Sequence, residues 1–104
     1  MSQLILAPEA ARDIEEIVSY IAKENVTAAL ELQGRLLQSF EELARFPKLG
    51  HVRADLARKR NLLFFSLGRY LVVYRVRRKN IEILAVLHAA RDIPRILRHR
   101  KPGE

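Results

Sequence analysis

A chain of 104 residues, 49% of them hydrophobic and with a formal net charge of +7, has room for one domain (residues 1–104) built on one modest core. It has no cysteine, which excludes disulfides and thiolate metal ligands, and its apolar runs are far too short to span a bilayer. Met1-Ser2-Gln3 lacks the basic start and apolar stretch of a signal peptide, so a soluble, cytoplasmic protein with no membrane partner is expected.

The charge is unevenly placed. Residues 1–50 carry five Lys/Arg and eight Asp/Glu, and residues 51–104 carry fourteen and four, so balances of −3 and +10 make up the +7. A positive half this concentrated fits an acidic partner, whether nucleic acid or protein, better than a merely well-solvated surface.

In chain order, Gln3 to Ala7 reads as a short strand. Pro8 suits the first turn of a helix, where its missing N–H costs nothing. From Glu9 to Glu24, Ala10, Ile14, Ile17, Val18 and Ile21 recur at helical spacing, with Asp13, Glu15, Glu16 and Lys23 largely off that face. Asn25 ends this helix and Thr27 is placed to cap the next, which runs from about Ala28 to Arg45 with an apolar stripe of Leu36, Leu37, Phe40, Leu43 and Ala44. The short link makes an antiparallel helical hairpin, closed by Pro47 and Gly50.

Residues 51–61 read as irregular. Leu62–Leu67, Tyr70–Val76 and Ile81–Leu87 then read as three strands joined by short turns, an antiparallel meander. Asp92–His99 reads as a short tail helix, weakened at its start by Pro94. The expected fold is α+β: an N-terminal strand, then a helical hairpin packed on a mainly antiparallel sheet (β-α-α-β-β-β), then a short tail. Alternation sends Tyr70, Val72 and Tyr74 to one face and Leu71 and Val73 to the other, with Ile81 and Ile83 opposed to Leu84 and Val86. Both faces are apolar but there is one hairpin to cover them, so the second face calls either for another chain or for the folded-over tail.

The chemistry-bearing residues are few. His51, His88 and His99 lie far apart, which argues against a metal site, and no cofactor motif is present. Ser66, His88 and Asp92 make a triad only on paper, because Ser66 lacks a nucleophile-elbow setting. What remains is a set of cations and polar rings: Arg69, Tyr70, Tyr74, Arg75, His88 and Arg91. They fit phosphate binding, or acid–base work on RNA; the plainer reading packs the tyrosines in the core and makes His88 to Asp92 a local turn in which Asp92 orders Arg91 or His88.

Four segments, in order, resemble ParE-type toxins of the ParE/RelE superfamily: Pro8-Glu9-Ala10 with Asp13-Ile14; Pro47-Lys48-Leu49-Gly50 with Arg53 and Asp55-Leu56; Gly68-Arg69-Tyr70 running to Tyr74-Arg75; and the strand ending in His88-Ala89-Ala90-Arg91-Asp92. The resemblance spans about residues 4–97. It implies the toxin of a type II toxin–antitoxin system, acting on DNA gyrase without catalytic residues of its own and neutralised by an acidic ParD-like antitoxin. On that basis His88, Arg91, Arg95, Arg98 and Arg100 are target-binding candidates, with indirect contact to DNA, and Arg69, Tyr70, Tyr74, Arg75 and Arg91 are antitoxin-binding candidates. The alternative is the RelE branch, whose members cleave ribosome-bound mRNA. Leu71 after Gly-Arg-Tyr, and a tail without tyrosine, depart from that pattern, although His88 or His99 could substitute.

Overall fold

A computed structural model of the chain describes residues 3–57 and 61–100. Lys101 and Glu104, part of the tail's charge, and Arg58, Lys59 and Arg60 lie outside the described residues. The elements run β1 (Gln3–Leu6), α1 (Pro8–Ala22), α2 (Val26–Arg45), β2 (Leu63–Leu67), β3 (Tyr70–Arg77), β4 (Asn80–His88) and α3 (Ile93–His99). They form one sheet in the order β1-β4-β3-β2, with β1 parallel to β4 and the other two pairs antiparallel.

The hairpin forms as its sequence dictates. Pro8 sits in the first turn of α1 and Glu9 places a carboxylate at its positive end. Asn25, not Thr27, caps α2: its side-chain oxygen accepts from Ala28 N at 2.9 Å, so the residue that ends one helix also begins the next. Ala10, Leu36, Phe40 and Leu43 are buried against Val72, Tyr74, Ile81, Ile83 and Val86. Leu37 does not join them. It is 57% exposed, because the buried side of α2 turns toward Ala29 and Ser39.

β4 carries a bulge that the alternation rule does not anticipate. Val73 lies opposite Ala85 and Tyr74 opposite Ile83, so Leu84 is the extra residue. Beyond it the alternation is reset: Val86 points to the same face as Ile81 and Ile83, while Leu84 and Ala85 both join the other face.

That other face is covered from within the chain. Ile93 and Leu97 of α3 pack with Leu62, Phe64, Leu71, Val73, Leu84 and Leu87, with Leu56 and Ala57 at the margin. Of the two covers that the apolar second face called for, the tail is the one present. Pro94 does not weaken α3, since it falls in the first turn, and Asp92 caps the helix by accepting from Arg95 N at 3.3 Å.

The loop after α2 is pinned by a buried tyrosine. Tyr74 Oη donates to Pro47 O at 2.7 Å and accepts from Gly50 N at 2.8 Å. A Cβ at Gly50 would lie 2.6 Å from that oxygen and 3.0 Å from Phe64 O, so this close approach needs glycine. Next to it, His51 exchanges both backbone hydrogen bonds with Phe64 and covers part of the outer edge of β2. No helix among the described residues is long and apolar enough to cross a membrane.

Candidate target- and antitoxin-binding site

The ends of β3 and β4, the flank of α1 and the whole of α3 meet at one side of the molecule. Two clefts open there. The smaller, about 260 Å³, is lined by Asp13, Glu16, Ile17 and Tyr20 of α1 and by Tyr70, Val86, His88 and Arg91. The larger and more open, about 610 Å³, is lined by Glu9, Arg91, Asp92, Arg95, Ile96, His99 and Arg100. Arg91 belongs to both.

Tyr70 and His88 are opposite each other in the β3–β4 pairing, and their rings meet edge to face with centroids 5.3 Å apart. His88 Nδ1 accepts from Ala90 N at 3.0 Å, which leaves the ring proton on Nε2. The turn after β4 is closed by backbone bonds, Arg91 N to His88 O and Ala89 N to Arg69 O. The Asp92 carboxylate is spent on the α3 cap; it does not order Arg91 or His88. Tyr20, 75% exposed, adds a second aromatic wall to the smaller cleft, and Ile17 and Val86 give it an apolar floor.

The structure separates the candidate residues into two groups. Arg69, Arg91, Arg95 and Arg98 are exposed, and Tyr70 and His88 are half-buried in the cleft wall. Tyr74 is fully buried, with its hydroxyl committed to the loop, and offers no surface to a partner. Burial raises its pKa, opposed by the Gly50 N–H. Arg75 is half-buried and donates from Nε to Glu82 at 2.7 Å across the β3–β4 pair. Arg100, grouped by sequence with the target-binding cations, turns inward. Its Nη1 and Nη2 lie 2.6 and 2.7 Å from the two Asp13 carboxylate oxygens, and this pairing raises its pKa.

Asp13 is the residue that the sequence reading misplaced. It is 6% exposed, and its Oδ2 also accepts from Val86 N at 3.0 Å. The reason is local: β1 ends at Leu6, opposite Ile83, and farther along β4 the Val86 N–H finds a side-chain carboxylate where the strand has run out. The spacing carried the signal. Asp13 lies three residues after Ala10 and four before Ile17, which puts it on the apolar side of α1. Tyr20, three residues after Ile17, shares that side of α1 and lines the smaller cleft, a place no motif in the sequence marks. Among the described residues no group of three or more His, Asp or Glu is placed to hold a metal ion.

The family model for the ParE toxin of the type II toxin–antitoxin system parDE matches residues 4–93. Y4kP of Sinorhizobium fredii, named as a candidate toxin, is 32% identical over 88 residues, which is 85% of this chain and 88% of that protein. The chain therefore belongs to the ParE toxin family, on the ParE side of the superfamily and not the RelE side. A solved chain of the chromosomal ParDE system from P. aeruginosa shares the fold with a TM-score of 0.71 at 20% identity, covering 85% of this chain and 96% of that one.

Proposed function

We propose that this type II toxin poisons DNA gyrase through the basic face formed by Arg91 and α3, and that an acidic ParD-like antitoxin neutralises it. The observation that carries the reading is an exposed run of cations: Arg91 lines both clefts, Arg95 lines the larger one, and Arg98 is exposed three residues further along α3. Gyrase works on DNA, so cations placed side by side gain affinity from the phosphate backbone or from an acidic protein surface, and that gain weakens with salt. No general acid or base of the toxin is needed, because the DNA breakage is gyrase's own chemistry.

The antitoxin segment suits the smaller cleft. Apolar side chains would lie on Ile17, Val86, Tyr20 and Tyr70, with carboxylates toward Arg91 and Arg69. Burial of that apolar surface gives a clearly negative heat-capacity change on binding, and a value near zero would remove this part of the reading. For the target, purified chain is added to gyrase in a supercoiling assay, beside Arg91→Ala/Arg95→Ala/Arg98→Ala. The expected result is inhibition that the triple variant loses while its fold is kept. Cleavage of ribosome-bound mRNA with supercoiling spared would replace this reading with an endoribonuclease.

A further inference from the structure

We propose that Asp13 and Arg100 form a positioning pair that fixes how α3 presents its cations to the target, and that Arg100 itself is not a target contact. The proposal rests on the reading that the basic face of α3 meets the target. Its starting point is that α3 has seven residues, too few to be a stable helix on its own. What orients it must come from outside the helix. Two apolar anchors, Ile93 and Leu97, hold one side of it to the sheet. Arg95 and Arg98 stay exposed.

The C-terminal end of α3 is tied by Arg100. Its planar fork meets both oxygens of Asp13, 87 residues away in sequence, and its Nε lies 4.0 Å from Glu9. Asp13 is itself held from behind by Val86 N, so the acceptor cannot swing to follow a moving helix. The pair thus joins α1, β4 and the last turn of α3 at one point, between the two clefts that share Arg91. A cluster of cations arranged before binding loses less entropy when it engages a surface than one on a fraying helix. A bidentate fork fixes direction as well as charge, which a lysine ammonium does not.

The test compares Asp13→Asn, Arg100→Lys and their combination with wild type in the gyrase supercoiling assay, with Arg95→Ala/Arg98→Ala as the reference for the basic face. Asp13→Asn keeps an oxygen for Val86 N and removes the charge; Arg100→Lys keeps the charge and removes the fork. Each single variant should weaken inhibition roughly tenfold, with the combination no worse than either, as expected for two halves of one device. Amide exchange should quicken over residues 95–100 while β3 and β4 stay protected.

If Arg100 were a target contact, Arg100→Lys would inhibit like wild type and Asp13→Asn, by weakening the hold of α1 on the guanidinium, would inhibit as well or better. Either result, alongside a weakened Arg95→Ala/Arg98→Ala, overturns the positioning pair and leaves the functional reading in place. A general loss of protection in both single variants also overturns it, since the pair would then hold up the fold as a whole. Should Asp13→Asn fail to fold, Arg100→Met against Arg100→Lys decides: equal losses support the proposal, and a wild-type lysine variant ends it. Full inhibition by Arg95→Ala/Arg98→Ala, or an inert wild-type chain, removes the functional reading and this inference with it.

Discussion

The two faces of the sheet are covered in different ways. On one, a hairpin of fifteen- and twenty-residue helices lays down a continuous apolar layer, with Phe40, Leu36 and Leu43 all but fully buried. On the other, a seven-residue helix contributes two buried side chains, the loop before β2 fills the margin, and an ion pair fastens the end. The first cover is held by area, which is strong and non-directional. The second depends more on a few directional contacts. Proposed target contacts lie on the second, where a short element can carry many cations because little of its surface is needed for the core.

Substitutions should divide along the same line. Phe40→Ala, on the hairpin side, should cost about 3–5 kcal/mol in denaturant unfolding, as lost burial plus a cavity, and should act on the whole fold. A cost below that range would mean the hairpin can slide to fill the space. Asp13→Ala strikes the second cover. It takes the bidentate carboxylate from a guanidinium about one-fifth exposed and leaves Val86 N without its acceptor, for about 2–3 kcal/mol, with amide exchange loosened first over α3. A uniform loosening would erase the distinction between the two covers.

Tyr74→Phe tests the polar pin within the hairpin-side core. It leaves Gly50 N and Pro47 O unpaired and should cost about 1–2 kcal/mol at neutral pH. Because burial raises the folded pKa of Tyr74 above its unfolded value, that stabilisation is complete below the ordinary tyrosine pKa and is lost as pH rises through the folded one. The gap between wild type and Tyr74→Phe should therefore narrow above about pH 10. A gap that stays constant would show that the hydroxyl does not titrate with folding. Leu37→Gln should change stability by less than about 0.5 kcal/mol, since that side chain lies outside the cover.

Much of the hairpin side was legible in the sequence because periodicity reports area. The spacing of Ala10, Ile14 and Ile17, and of Leu36, Phe40 and Leu43, finds the buried faces. Leu37 was misread because a stripe one residue too wide still looks helical. The second cover was harder to see. Nothing in a linear pattern announces the bulge at Leu84, which moves Val86 to the other face, and nothing local joins Asp13 to Arg100. The cations were all visible as cations. Arg75 and Arg100 are spent on Glu82 and Asp13, while Arg91, Arg95 and Arg98 are exposed; only the folded chain separates them.

The role of the basic face is tested most directly by DNA supercoiling with purified gyrase in the presence of the purified toxin, with and without Arg91, Arg95 and Arg98. The wild-type chain should block supercoiling, the effect should fade with added salt, and a folded triple-alanine variant should not inhibit. A triple variant that inhibits as fully as wild type would contradict it.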